Sequence, residues 1–505
     1  MPRPGVTVTT SAAAAAATPG ARLGTLFAAA ETQRGPLIAD TTQPLRSLAD
    51  YTALYGGRDA TIGSAALSYD MAEAFFRSGG SALLVNRVVG PAATTASLTL
   101  NDRAGSPLTT LKVSARGPGA WGTSHITIAV ANGVAANTFN IATLVDTVQV
   151  ELSPDLSSPA DAVTWGQSSK YVTVADLGSA TVAPNNNPAV LTATALGSAT
   201  DDIASVTDTH WTAALNSFPS SAGPGLVAKW GTTTAAGHAG TVAHAAANNR
   251  FALLDGVQGA SQATLTTMAG TVQAAATAPE YGAVYAPWLT IPPPANGAAN
   301  RYIPPSAVAA GLISAQVTNG PAGVAAAGVN GQALWVLDTA PATSGAAGQT
   351  FTTTERDALA GSAAVNVFRR AYSSSANPPV ELYGISTLAP QSNSWRQVPV
   401  QLLRLKITDE LLLLGEQFIF SPIDGRGHLF AAFGGACAGV LQAHWEAGEL
   451  YGTTPSQAYT VDVTSVNTPT TIAAGQLNAR VDIRETTSGE WISFDVVKIP
   501  VNQSL

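Results

Sequence analysis

GTTTAAGHAGTVAHAAANNRFALLD occupies residues 231–255, and its reading decides the fold. A glycine and three threonines, Thr232 to Thr234, stand before a run rich in Ala, Val and His. That is the pattern of a capped helix, because a Thr hydroxyl can accept from the free N–H groups of a first turn and Ala is a strong helix former. FALLDG then follows at once as a short apolar run, suited to a strand buried on both faces. The alternation continues: QATLTTMAGTVQAAATA reads as a helix, YGAVYAPWLTI as a strand and SAVAAGLISAQ as a helix. From about Trp211 to Val336 the chain is therefore an α/β layer.

The same loop is similar to the nucleophile loop of subtilisin-like proteases, G-T-S-M-A-x-P-H-x-A-G. Gly231, Thr232, Ala235 and His238 fall in the matching places, with Thr233 where the serine belongs. Such an enzyme needs a His base oriented by an Asp, and both precede the serine in that chain order. Upstream, His125 lies in a predicted strand, HITIAV, and His210 in TDTHWTAAL; neither has the glycine neighbourhood of those motifs. Thr233 without a base is not an activated nucleophile. The loop is read as a helix cap, no catalytic residue is assigned, and the chain is expected not to be an enzyme.

Composition points the same way. Only 11% of the 505 residues are charged against 46% hydrophobic, about half the usual charged share. A chain this poor in charge either covers itself with Thr, Ser and Asn or buries surface against partners. The net charge of -8 excludes the basic footprint of a nucleic-acid binder. No apolar run is long enough for a transmembrane helix, and Pro4 and Gly5 are wrong for the start of a secretory signal. The single Cys437 rules out an internal disulfide and reads as a small core residue. His238 and His244, six apart, do not share a helix face, and Asp201, Asp202 and Asp208 lack the Gly and Glu of a Ca²⁺ loop. Those aspartates are read as a solvated turn, and no cofactor or metal is expected.

The remaining segments fall into order around the layer. PGVTVTT reads as a short strand, LGTLFAAA as a strand followed by a turn at 34–36 and another strand, and SLADYTALYGG as a helix capped by Ser47. SYDMAEAFFRSGG is a helix and SALLVNRVV a buried strand. Residues 91–205 are rich in Thr, Val and Ser with frequent turn signals, the signature of an inserted β-sandwich or barrel. Near the C-terminus LFAAFGGACAGVLQAHWEAGEL (429–450) is a long helix, followed by strands AYTVDV, LNARVDIRE and EWISFDVVKI.

Taken in sequence, these segments resemble the tail sheath proteins of contractile phage tails and phage-like injection particles. PGV (4–6), RGP (34–36), DYTALYGG (50–57), FFRSGGSALLVNRVVG (75–90) and GPGAWGTSHITIAV (117–130) carry the first half of the resemblance. YAPWL (285–289), IPPSAVAAGL (303–312), SWRQVPVQLL (394–403), Trp445 and Gly448, QAYTVDVT (457–464) and TIAAGQLNARVDI (471–483) carry the second. Ser78 stands where that family usually has Asn, NGPAGVAAAG (319–328) replaces its RGVWKAPAN, and 130–205 matches no part of it.

The resemblance implies a multidomain α+β and α/β chain. Its parts would be a linking arm (1–22), a sheath core built from 23–90 and 346–487, an inserted outer β domain (91–205), a subtilisin-like α/β domain without catalysis (206–345) and a second arm (488–505). It implies a virion subunit, assembled in the host cytoplasm, that polymerises with itself into a helical sleeve around a tail tube, between baseplate and tail terminator proteins. No nucleic acid is contacted directly and no membrane is entered. Terminal strands seek a sheet edge, so Val6, Thr7, Val8 and Thr9 in one arm and Ile492, Phe494, Val496 and Ile499 in the other are expected to pair with neighbouring copies. Asp424, Glu446 and Glu449 are expected to face the tube. A capsid or surface-layer protein would share the low charge, and a hydrolase would need the missing triad.

Overall fold

A computed structural model describes residues 23–342, 348–372 and 377–490; both expected terminal strands lie outside the described residues. The chain divides into two compact units. One runs to Gly320 and takes up again over Ala326–Arg396; the other joins Pro321–Ala325 to the chain from Gln397 onward.

The larger unit is built on an eight-stranded sheet. Its elements in chain order begin with β1 (Thr25–Ala30), α1 (Leu48–Tyr55), α2 (Ala65–Arg77) and β2 (Ala82–Arg87). An excursion follows through β3 (Ser97–Asn101), β4 (Thr109–Ala115), α3 (Ala120–His125), β5 (Ile126–Asn132), β6 (Phe139–Val145), β7 (Val148–Leu152), α4 (Pro159–Ser168), β8 (Val172–Asp176) and β9 (Leu191–Ala195). Then come α5 (Asp208–Asn216), β10 (Gly225–Trp230), α6 (Ala235–Ala247), β11 (Arg250–Asp255), α7 (Gln262–Ala275), β12 (Gly282–Ala286), β13 (Leu289–Ile291), β14 (Arg301–Ile303) and α8 (Ser306–Asn319). The unit closes with β15 (Gln332–Ala333), β16 (Asp338–Thr339), α9 (Thr353–Ala360), β17 (Val365–Arg370) and β18 (Val380–Tyr383).

The sheet order is β15-β18-β17-β12-β11-β10-β1-β2, with β2 through β17 parallel and the last two strands antiparallel. Parallel strands carry helices on both faces and so read as continuous apolar runs; every residue of β2, β10, β11 and β12 is buried. Phe27, Val227, Leu254 and Val284 face a core shared with Trp211 and Leu215 of α5, Val242 of α6 and Leu265 of α7. On α8 every residue from Ser306 to Ser314 is buried, as expected of a helix apolar on all sides. It packs along α2, and Gly311 permits the approach: a Cβ there would stand 2.5 Å from Ser78 Cβ and 2.6 Å from the Phe75 carbonyl oxygen. Gly79, at φ +98°, ends α2 in a conformation that L side chains rarely adopt.

The sheet takes strands from 23–90, 206–345 and 346–487 alike, the segments that the resemblance implies as separate parts. Strand alternation reveals a layer but not how many segments share it. The strand expected after Pro36 does not form, and Leu37 and Ile38 are exposed there. His125 ends α3 rather than lying in β5.

The excursion forms two antiparallel sheets, β3-β4-β8 and β7-β6-β5-β9, over one core of Leu100, Leu111, Val113, Ile128, Phe139, Ile141 and Val172. It leaves and rejoins at one point, where the Gly90 amide donates to the Asp201 carbonyl at 2.9 Å. Two arginines fasten that junction. The Arg34 guanidinium lies 4.7 Å from the Trp121 ring and 4.5 Å from the Tyr171 ring, a stacked cation–π sandwich. The Arg87 side chain, fully buried, donates to Asp201 at 2.5 Å and to the Pro118 and Thr32 carbonyls. Asp201 is thus one half of a buried ion pair and not part of a solvated turn; its partner is 114 residues away, too far for sequence spacing to show.

The smaller unit holds two 19-residue helices, α10 (Val398–Glu416) and α11 (His428–Glu446), then α12 (Pro455–Ala458), β19 (Tyr459–Asp462), α13 (Pro469–Ala473) and β20 (Arg480–Ile483). α10 has no counterpart in the sequence reading: Pro399 near its start masks it, although Pro is well tolerated in a first turn. Leu403, Ile407, Leu441, Leu450 and Ala458 form its core. Cys437 is free and buried, as expected.

Candidate assembly surface

β19 and β20 pair antiparallel, Tyr459 with Ile483 and Val461 with Val481. Those four side chains pack on the core of the smaller unit, while Thr460, Asp462, Arg480 and Asp482 take the other face. Among the described residues the sheet has only these two strands. Each therefore keeps an outer edge of backbone donors and acceptors free for another strand. The sheet is stitched to the end of α11: Tyr451 donates to the Arg484 carbonyl at 2.7 Å, and Thr486 to that of Glu449 at 3.0 Å.

Beneath that turn lies a buried charged cluster. His444, 3% exposed, donates from Nδ1 to Glu449 at 2.5 Å and from Nε2 to Glu410 of α10 at 2.8 Å. An imidazole that faces carboxylates with both nitrogens must carry both protons. Burial opposes the charge, but the two hydrogen bonds outweigh it and hold the pKa up to about 9. The Glu449 carboxyl also accepts from the Gly323 amide at 2.9 Å. Burial pushes this carboxyl up, and the bonds from His444 and Gly323 bring it below its ordinary value.

Of the three acids expected at a tube contact, Glu449 is thus buried at 3% exposure and already engaged. A charge at a helix end reads as solvated by default, and here it is held by His444 of the same helix and by the Gly323 amide, 126 residues away. Asp424 is half-buried and accepts from the His428 amide at 3.0 Å, at the first residue of α11. Glu446 is exposed and accepts from Gln442 at 2.8 Å. The sequence reading missed a more conspicuous feature: Leu412 and Leu413 near the end of α10 and Ile419 and Phe420 in the turn after it are exposed, Phe420 completely. The run LLLLGEQFIF was its signal.

The Gly-Thr loop stands at the C-terminal end of β10, beside the place where strand order reverses between β1 and β10. In open α/β sheets such a switch point is where ligands bind. Thr234 caps α6, accepting from the Gly237 amide at 3.0 Å, and Asp208 accepts from Thr232 and Thr234. The His238 ring is buried and donates from Nε2 to the Asp255 carbonyl at 2.9 Å. Burial, partly offset by that bond, lowers its pKa to about 4 and so keeps it neutral. Burial likewise brings Lys229, bonded to Thr212 and the Gly237 carbonyl, down to about 8. Asp255 holds the start of α8 through the Ser306 amide and hydroxyl, both at 2.8 Å. Each group has a structural partner, and the imidazole is turned to Asp255 rather than to Thr233. Among the described residues no cluster of His, Cys, Asp and Glu is arranged to hold a metal, and no helix is long and apolar enough to cross a membrane.

No family model and no curated protein matches the sequence. Solved structures match the fold. The sheath tail protein Lin1278 of Listeria innocua superposes with a TM-score of 0.59 at 13% identity, over 88% of this chain and 89% of that one. The sheath tail protein of Desulfitobacterium hafniense gives 0.52 at 14% identity, over 91% and 93%. The helical sheath of the anti-feeding prophage, in its contracted state, gives 0.53 at 16% identity, over 98% of both chains. At these identities the likeness establishes a shared fold, that of the sheath tail proteins.

Proposed function

We propose that this chain is the sheath subunit of a contractile tail or phage-like injection particle, polymerising around a tail tube and driving it forward on contraction. Fold alone does not fix function. The observation that supports the reading most is that the likeness to a contracted helical sheath runs over 98% of both chains. In this reading the parallel layer is subtilisin-like in fold, with the Gly-Thr loop retained as a helix cap and no triad around it. The insert of 91–205 faces outward.

The open edges of β19 and β20 are the receiving surface. Residues 4–10 and 491–501 supply strands from neighbouring copies, through Val6, Thr7, Val8 and Thr9 and through Ile492, Phe494, Val496 and Ile499. Backbone hydrogen bonds then give affinity without demanding charge, in keeping with a chain of 11% charged residues. Head-to-tail exchange of this kind does not close on itself and so builds a helix. During contraction the arms stay paired while the bodies turn, bending at SAAAAAATPGA and RETTSGE. The motion runs downhill from a metastable extended state and needs no nucleotide. Asp424 and Glu446 make weak, easily broken contacts to the tube.

Electron microscopy of the purified chain, beside versions lacking 1–22 or 491–505, tests this. The full chain should give striated tubes and each truncation should abolish them while circular dichroism stays unchanged. Closed shells or flat lattices would favour a capsid or surface layer. Monomers from all three would refute arm exchange.

A further inference from the structure

We propose that His444 is a protonation latch that seats the β19–β20 sheet on the helix pair and releases it at alkaline pH. The proposal rests on the reading of that sheet as the receiver of neighbouring strands. The geometry carries it. One buried imidazolium bridges α10 and the turn after α11 through Glu410 and Glu449. The backbone of that turn is in turn bonded to the end of β20: Thr486 donates from its amide to the Glu449 carbonyl at 3.0 Å and from its hydroxyl to the Gly448 carbonyl at 3.1 Å. The same Glu449 carboxylate holds the Gly323 amide, so a strap from a distant part of the sequence is fastened by the same charge.

Removing the proton breaks this arrangement in a definite way. A neutral imidazole has one N–H and can satisfy one carboxylate; the other, buried Glu449 or half-buried Glu410, then faces a lone pair. The charged groups around the latch are few. Lys406 of α10 favours the charged Glu449, and Arg404 of α10 favours the charge on Glu485, beside β20. Glu446 points to Gln442 at the surface, and residues 321–325, PAGVA, carry no charge. Asp409, buried beside Glu410, is a further acid of α10, and the imidazolium is the group that bonds Glu410 and Glu449 at once. The folded pKa is raised above the ordinary value of 6.5, so the latch contributes fully below pH 6.5 and is lost as pH rises through about 9.

The test is made on the full chain before assembly. With ¹⁵N-labelled histidine, one imidazole, absent from His444→Gln, should titrate near pH 9. Relative to amides of β11, those of Gly323 and Thr486 should exchange about tenfold faster above that pH, and already at neutral pH in His444→Gln. An imidazole that titrates at or below its ordinary value, or amides that keep their relative protection to pH 10, overturns the latch. If His444→Gln does not fold, the wild-type titration still decides, and Glu410→Gln should move it to lower pH. Tube formation across the same range separates the latch from the reading beneath it. Tubes lost at alkaline pH while Gly323 and Thr486 stay protected would refute the latch and leave arm exchange standing. Amides loosened with tubes intact would refute its coupling to assembly.

Discussion

α8 and α11 are both apolar nearly all the way round, SAVAAGLISAQVTN against HLFAAFGGACAGVLQAHWE. Ten of the fourteen residues of α8 are buried, but only three of the nineteen of α11. Their sheets differ in the same sense. The eight-stranded sheet is closed by helices on its faces, and at one edge Leu45 and Leu83 exchange both backbone hydrogen bonds, 2.8 and 2.9 Å. The two-stranded sheet has four residues per strand, and a sheet of two strands is marginal in water by itself. The eight-stranded sheet has thus covered its apolar faces within the larger unit, while apolar residues stay exposed elsewhere in that unit, Val134, Val182 and Leu334 among them. Among the described residues the smaller one leaves most of α11 and the outer edges of β19 and β20 open, the kind of surface that marks an interaction site.

The comparison breaks first if the larger unit is not self-sufficient. One internal dependence is the junction at Arg87, whose side chain is fully buried. Replacing Arg87 with Leu leaves Asp201 buried with the Ala120 amide as its remaining strong partner, and an uncompensated buried charge costs about 3–5 kcal/mol. Chemical denaturation of the unassembled chain should show that loss, and the excursion of 91–205 should become the first region cut by protease. A loss below about 1 kcal/mol would mean that the Arg34 sandwich alone holds the junction.

How much of this was legible follows from distance along the chain. The helix-then-strand alternation after Trp211 could be read because each element announces itself within a dozen residues. Ser47 is a local signal too, and it caps α1 where the sequence places it. Arg87–Asp201 and His444–Glu410 are pairings across 114 and 34 residues; spacing says nothing about them, so Asp201 reads as solvated and nothing in the sequence singles out His444. Glu449 reads as a surface acid although His444 is only five residues away, because the Gly323 amide that closes over it comes from 126 residues upstream. The exposed run near Phe420 was visible as sequence, but whether apolar residues face in or out depends on which neighbours fold over them.

A smaller effect concerns charge inside the larger unit. Burial lifts the Asp255 carboxyl to about 7, against the two bonds from Ser306 that favour its charge. Its folded pKa lies above the unfolded value, so its contribution is full below about pH 4 and declines as pH rises through 7. His238 and His244, lowered by burial to about 4 and 3, act in the opposite sense: their contribution is full above pH 6.5 and falls as the solution is acidified. Asp255→Asn removes one slope and leaves the other. Urea midpoints measured from pH 4 to 8 should show the variant gaining on the wild type as pH rises. A constant offset would mean that Asp255 is ionised in the folded chain throughout.

The smallest effect is the sharpest test of the smaller unit. Phe420 has φ +64° and a fully exposed ring, so the chain bears a left-handed bulky residue with no packing of its own to offset it. That conformation costs about 1–2 kcal/mol for an L residue. Glycine removes the strain, but its greater freedom in the unfolded chain costs about 0.5–1 kcal/mol. Phe420→Gly should therefore stabilise the unassembled chain by about 0.5 kcal/mol, the difference between those two terms. A stabilising substitution that also raises the concentration needed for tube formation would show that the ring is kept for an interface at a cost to the monomer. If tubes form at the same concentration, Phe420 is outside the contact, and the reserve of apolar surface must be sought in Leu412 and Leu413 on α10 instead.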